Sequence, residues 1–548
     1  MALLLGLGAA APSQGAIPYT AYVSNLTEQT LSPINTATGV VAPAIKVESP
    51  PFLAITPDGS TAWVTNATQG TVTPITLSTG TSGTPIKVGA NPYAIAISPD
   101  GTKAYVADHG SDSVTPINLT ARTAGPAITV GKEPWAIAVS PDGTKVYVTN
   151  YGSNSVTPIT VSSNTPGTPI TVGSGPQSIA ITPDGTTAWV AGFTANAITP
   201  IALATGTAGA PITVKEANSI AITPDGSMAY VTSYTPSTVT PVNLFTKTAG
   251  TAIPVGSIPY QVAITPDGAT AYVTDNSSNS VTPINIATQT AGTAIKVGAG
   301  PDGIAITPDQ APVASFTVNA AAAGSPSSFN ASASSVAHGT ITSYAWKFGD
   351  GGATTTSTPT TTHTYTAAGS YTATLTETDA AGTSTTRVFT GQTVSRNGGS
   401  GAQATRSVSV SPAPVTLIGP LPGDPRPSRV LISIKSMTVN RHGVAVIPMR
   451  CPTGGCRGTV TVTVHIAEPR ARRAAAARCA RGCRPLASTN YEARAGQKIR
   501  VRVHIASFGR RLLRTRSSVR VILTATSVAG GQTATVTRAI AMKSATRT

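Results

Sequence analysis

The sequence predicts an all-β protein: a seven-bladed β-propeller followed by two immunoglobulin-like β-sandwich domains. Three observations carry this expectation. A Pro-Asp pair recurs with its Asp at Asp58, Asp100, Asp142, Asp184, Asp225, Asp267 and Asp309, at intervals of 42, 42, 42, 41, 42 and 42 residues. A period in that range, built from short strands, marks a propeller. Each period holds four strand-like pieces, enough for one blade. The two ends of the array are complementary: it opens on AYVSN at Ala21 with no preceding AIAI-PDG strand and closes on GIAITPD at Gly303–Asp309 with no YVTN strand after it. Pairing those ends completes a seventh blade and removes an exposed sheet edge.

One unit shows the local logic. In Ile137–Asn150 (IAVSPDGTKVYVTN), Ile137 and Val139 alternate with small residues, as in a half-buried strand. Pro141, Asp142 and Gly143 supply turn chemistry: a fixed φ, a side chain that bonds its own backbone, and tolerance of positive φ. Tyr147 and Val148 restart the β pattern, and Ser155–Val161 and Thr168–Gly173 follow as third and fourth strands. The Asp of each turn is read as a turn residue, not as a metal ligand. Each third strand carries a proline (Pro33, Pro74, Pro116, Pro158, Pro200, Pro241, Pro283), which predicts a bulge there, because proline cannot donate to a ladder.

The pairing of PDG with AYVSN at Ala21, AWVTN at Ala62, AYVAD at Ala104, VYVTN at Val146, AWVAG at Ala188, AYVTS at Ala229 and AYVTD at Ala271 resembles the YVTN family of β-propellers. That family occurs in archaeal and bacterial surface-layer proteins, so the resemblance implies an extracellular propeller over roughly residues 17–309. Further on, WKFGDG at Trp346–Gly351 and HTYTAAGSYTATL at His363–Leu375 resemble the PKD domain, a small sandwich. The expected core there is Trp346, Phe348, Tyr365, Tyr371 and Leu375, with His363 and Asp350 in a structural role.

The chain divides as follows. Residues 1–16 read as the remnant of a secretory signal, with an apolar run and small residues but no basic start. Residues 17–309 are the propeller, 310–395 the PKD-like sandwich, 396–428 a Gly/Ser/Pro linker and 429–548 a basic sandwich. Only 11% of residues are charged, and no apolar run is long enough to span a membrane. Charge is segregated: residues 1–425 hold 13 Lys+Arg against 19 Asp+Glu, and residues 426–548 hold 24 against 2. Arg500 and Arg502 alternate with valines, and Arg510, Arg511, Arg514, Arg516 and Arg520 follow. Such a face binds polyanions through counterion release without reading sequence. The expected partner is a cell-wall or capsule polyanion, with no specific nucleic-acid target.

All four cysteines lie in this last domain: Cys451, Cys456, Cys479 and Cys483. In an exported protein with cationic surroundings they read as disulfides, with a zinc site as the other reading. The propeller contains one histidine, His109, so the ring alone assembles no His-ligated metal site. No phosphate loop, nucleophile elbow or cofactor motif occurs, and no cofactor or metal is expected.

The repeat also points to a ligand face. At one register, near the start of each innermost strand, the sequence diverges: Phe52, Tyr93, Trp135, Gln177, Asn218, Tyr260 and Asp302. These ring one mouth of the channel, with Glu133 and Glu216 nearby, and aromatic faces with a few polar groups suit a glycan or peptide. The reading is therefore a secreted or cell-surface, non-catalytic and monomeric binding protein, its propeller the platform and its sandwiches the spacer and wall anchor. The rival reading is an enzyme. Related seven-bladed propellers include lactonases and a streptogramin lyase, and Glu133, Glu216 and Asp302 are its candidate acid/base groups.

Overall fold

The computed structural model describes residues 19–412 throughout and, beyond them, only the backbone of eight strands between Leu431 and Ser544. Contacts divide the chain into two units, residues 1–413 and 414–548. In the first, seven antiparallel sheets form the propeller. Each innermost strand pairs with the YVTN-type strand and that with the Pro-containing strand, as in Pro134–Val139, Lys145–Asn150 and Ser155–Thr160. The fourth position is two short pieces, Thr165–Pro166 and Ile170–Thr171.

That split explains the prolines and corrects the expected bulge. Tyr147 sits opposite Pro158 in an unbroken register. The Pro158 carbonyl faces outward and accepts from Gly167 N at 2.7 Å, so the missing N–H points where the outer strand is interrupted. The register shifts lie instead between the innermost and second strands, as between Pro134 and Ile137.

The ring closes as the sequence predicts. Pro301–Ile306 pairs with Thr20–Asn25, placing Ile306 opposite Ala21 and Ile304 opposite Val23. Ser24 Oγ accepts from Gly303 N at 2.9 Å and donates to Pro51 O at 3.0 Å, tying the closing strand to the next blade. Six of the seven repeated aspartates act as turn residues: Asp142 Oδ1 accepts from Thr144 N at 3.0 Å and from Ser140 Oγ at 2.5 Å. Asp309 instead lies buried in a short strand paired with Arg396 and accepts from Thr383.

The last residue of the YVTN motif is a buried brace. Asn66 Nδ2 donates to Thr71 and Thr73 hydroxyls at 2.7 and 2.8 Å. Asp108 takes the same place in its blade and instead accepts from Thr115 and Ser113, while burial pushes its carboxyl up to about 6. A carboxyl whose folded pKa is raised stabilises the fold fully below the ordinary Asp range. It loses that contribution as pH rises from about 4 to about 6. Asp108→Asn should therefore raise stability at pH 7.5 by about 2 kcal/mol and far less at pH 4. Denaturant unfolding at the two pH values checks this, and an equal gain at both would contradict it.

A PKD-type sandwich follows. One sheet holds Thr317–Asn319, Pro326–Asn330 and Thr360–Thr364; the other holds Ile341–Lys347, Ala353–Thr356, Gly369–Asp379 and Gln403–Val410. Residues 403–410, placed in a linker by the sequence reading, are thus a strand paired with Gly369–Thr376. The core is Phe316, Phe329, Trp346, Phe348, Tyr365 and Leu375, and Tyr371 lies at its edge, stacked on Tyr365. His363 stacks on Phe348 at 4.0 Å and meets Asp350 at 2.7 Å, bracing the turn.

The propeller and this sandwich share a polar seam. Arg396 Nε donates to Pro266 O at 2.7 Å and Gln310 Nε2 to Pro57 O at 3.0 Å. Burial, then the neighbouring Asp309 carboxyl, push the Asp379 carboxyl well above the ordinary Asp range.

In the second unit the eight strands are hydrogen-bonded to one another, with Ser518–Ala529 and Gln532–Ser544 forming a long hairpin. This agrees with the all-β, sandwich-type expectation. Lys498–His504, which carries Arg500 and Arg502, pairs with Val444–Arg450. The side chains of Arg500, Arg502, Arg520, Cys456 and Cys483, and the whole of Arg510, Arg511, Arg514, Arg516, Cys451 and Cys479, lie outside the described residues. So does Met1–Ala16. No helix among the described residues is long and apolar enough to cross a membrane.

Candidate active site

The innermost strands bring their first residues to one end of the channel. Threonines of the YVTN motif fix them there: Thr65 Oγ1 donates to Tyr93 O of the next blade at 2.8 Å, and Thr274 Oγ1 donates to Asp302 O at 2.8 Å. Ala107 and Ala191 take this place in two blades, so the hydroxyl tie is not repeated in all seven, and the inner-strand side chain differs from blade to blade.

The aromatic members touch one another. Phe52, Tyr93 and Trp135 run in sequence with ring centroids 5.2 and 4.5 Å apart, and Phe52 meets Tyr260 at 6.3 Å. Tyr93 and Tyr260 hydroxyls bond to each other at 2.9 Å. A second circle, absent from the sequence reading, widens this surface: Tyr151 against Trp135, Tyr234 against Tyr260, Phe193 against Tyr234, and His109 against both Tyr93 and Trp135. Each of these follows directly on the YVTN-type strand of its blade. The signal was a second divergent register: Leu26, Ala67, His109, Tyr151, Phe193, Tyr234 and Asn276.

The polar members sit lower. Asn218 is buried and donates to Tyr260 O at 2.9 Å. A small cavity of about 20 Å³ lies under the rings, lined by Gln177, Asn218 and Gln261 with Phe52, Trp135 and Tyr260 above. That volume holds about one water. Asp302 is 4% exposed, and Asn276 Nδ2 donates to its Oδ1 at 2.5 Å. Burial pushes its carboxyl up to about 7, against the lowering effect of the Asn276 bond. Its charge is close enough to raise both Tyr93, up to about 12, and Tyr260, though burial is the larger cause for each. Both phenols are therefore neutral donors across the physiological range.

The three expected carboxylates do not form one group. Glu133 is exposed on a loop at φ +52°, with its N–H bonded to Asp112 at 2.9 Å. Glu216, also at positive φ, caps Thr235 through its backbone N–H at 2.8 Å and its hydroxyl. Burial, not a neighbouring carboxylate, raises Asp302. Both glutamates are loop braces, and Asp302 is the one acid beneath the rings. Among the described residues no three metal-ligating side chains cluster.

Such a surface can stack a flat or ring-shaped ligand, and a carboxyl with a pKa of about 7 within electrostatic reach of neutral hydroxyls can move one proton. Comparison with known proteins bears on its class. The profile of the family described as "Lactonase, 7-bladed beta-propeller" matches residues 20–297, and that of the PKD domain matches 309–394. Among solved structures, a putative 6-phosphogluconolactonase from Bacteroides uniformis is 17% identical, covering 53% of this chain and 99% of its own, with a TM-score of 0.47. A periplasmic gluconolactonase from Pseudomonas aeruginosa is 18% identical, covering 53% and 99%, at 0.46. Kuenenia stuttgartiensis hydrazine synthase is 22% identical, covering 46% and 88%, at 0.44. No curated protein matches the chain. The lactonase profile overturns the expectation of a non-catalytic binding protein. Over its propeller, this chain belongs to the lactonase family of seven-bladed β-propellers.

Proposed function

We propose that the channel mouth hydrolyses a lactone, with Asp302 as the proton-transfer group. The observation that carries this is Asp302 itself: a buried carboxyl at the mouth, at about 7, next to Asn276 and within electrostatic reach of two neutral phenols. Opening a lactone requires water to attack the ring carbonyl, a base to take the water's proton, and donors for the oxygen that gains charge. Ionised Asp302 takes the proton and returns it to the departing ring oxygen, so one water is consumed and one hydroxy acid released. Tyr93 and Tyr260 now share one hydrogen bond, one hydroxyl donating to the other; an incoming carbonyl replaces that contact and receives a hydroxyl bond.

The aromatic circle supplies binding. Neither divergent register contains Lys or Arg, so an uncharged lactone with an apolar ring face suits this mouth better than a phosphorylated one. Trp135→Ala should raise KM for an aldonolactone about tenfold while kcat stays within about threefold, since stacking acts on the ground state and transition state alike. Initial rates followed by acid release test both points. A phosphorylated lactone used more efficiently than its neutral parent would contradict the substrate class.

The proposal includes export through Met1–Ala16 and attachment to an anionic wall polymer through the arginine-rich residues 426–548, supported by charge segregation alone. Retention of the full chain on purified cell wall across a salt series tests attachment, and retention independent of salt would contradict it.

A further inference from the structure

The end of the channel opposite the aromatic rings is occupied by the PKD domain. Val388–Phe389 and Val394–Asn397 pair with each other, and the loop between them enters the ring. Thr390, Gly391 and Gln392 present their carbonyls to Ile181, Val139 and Ile97 N–H at 3.0, 2.8 and 3.2 Å. These are the last residues of three successive innermost strands. Phe389 and Val394 are buried against the same blades, in a cluster with Ile137 and Val139. Gly391 has φ +127°, and a Cβ there would stand 2.9 Å from Ala138 Cβ. Domains joined in series ordinarily move relative to one another. This loop, hydrogen-bonded inside its neighbour, does not act as a spacer.

One side chain of the loop continues up the channel. Gln261 Nε2 donates to Gln392 Oε1 at 3.3 Å, and Gln261 Oε1 accepts from Ile304 N at 2.6 Å. Ile304 lies two residues beyond Asp302 on the same strand. Gln392 also lines the small cavity under Trp135 and Tyr260. A relay thus runs from the PKD loop through two amides to the strand that carries the acid.

We propose that Gln392, supplied by the PKD domain, is a positioning residue of the propeller's active site, and that its loop is the channel floor. It fixes Gln261 and, through Gln261, the strand bearing Asp302. This inference rests on the reading of Asp302 as the proton-transfer group.

The test uses the full chain with Gln392→Ala and Gln392→Glu. The first loses the acceptor for Gln261; the second keeps it. Gln392→Ala should lower kcat for lactone hydrolysis about tenfold with KM within twofold. Amide exchange at Ile304 should quicken about tenfold, while Ile97, held by the loop backbone, is unchanged. Gln392→Glu should restore Ile304 protection. Unchanged kcat in Gln392→Ala, with an active parent, overturns the positioning role. If the parent opens no lactone, the hydrolytic reading fails by itself, and Ile304 exchange then decides the relay: unaltered exchange in Gln392→Ala overturns it.

Discussion

Asp302→Asn should lower kcat for lactone opening by about 10² to 10⁴, the range a positioned proton-transfer group supplies. The substitution is nearly isosteric and leaves a carbonyl oxygen to accept from Asn276 Nδ2, which bonds the present carboxyl at 2.5 Å. It removes a group that burial already holds near neutrality, so the fold should lose nothing. Its sign on stability is the opposite of its sign on catalysis. A buried carboxyl with a raised pKa costs stability wherever it is ionised, so the variant should unfold at a higher temperature at pH 8, with a gain at least as large as that of Asp108→Asn. Activity loss with unchanged or improved melting separates chemistry from damage. Loss of both together would mean that Asp302 is a brace and not a reacting group.

Gly303→Val should unlatch the ring. A Cβ on Gly303 would stand 2.7 Å from Pro51 O, 2.7 Å from Ser24 Oγ and 3.0 Å from Phe52 Cα, two of them backbone atoms that cannot turn aside. The strand must then retreat from Thr20–Asn25, losing the Ser24 bond and the pairing that joins the propeller's two ends. Overpacking of this kind costs roughly 1–3 kcal/mol, and loss of closure adds the exposed edge of the seventh blade. A decrease of about 3 kcal/mol or more, with a broadened transition, is the expected result in denaturant unfolding. A variant that melts like the parent would mean that closure does not hold the propeller together.

These two effects differ in how far they could be read from sequence. Closure was legible because a period of about 42 residues leaves complementary remnants at Ala21 and at Gly303–Asp309, and a sheet edge has one economical partner. The inner mouth circle was legible for the same reason, since divergence at a fixed register marks side chains freed from the repeat. The outer circle of His109, Tyr151, Phe193 and Tyr234 carried an equal signal one strand later. The prolines misled because a proline in a middle strand implies a bulge only if the next strand is continuous, and here that strand is broken in two. The sequence names Asp302 among three candidate acid/base groups, but no motif singles it out for the role proposed here. Burial alone makes this carboxyl a base near neutrality, and burial belongs to the fold, not to neighbours in sequence. Gln392 was the least visible of all: it meets Gln261 across 131 residues, from a loop whose only local sign is one glycine.

The central claim is that a propeller acid at the mouth opens lactones, and the pH dependence of kcat/KM tests it most directly. Rates of aldonolactone hydrolysis, corrected for the spontaneous reaction, should rise with pH through a single ionisation near 7, where Asp302 loses its proton, and level off above it. In Asp302→Asn the enzymatic rate should fall to the background and the ionisation should vanish. A parent profile that is flat from pH 5 to 9, or an Asp302→Asn variant that keeps both the rate and the ionisation, would contradict the account.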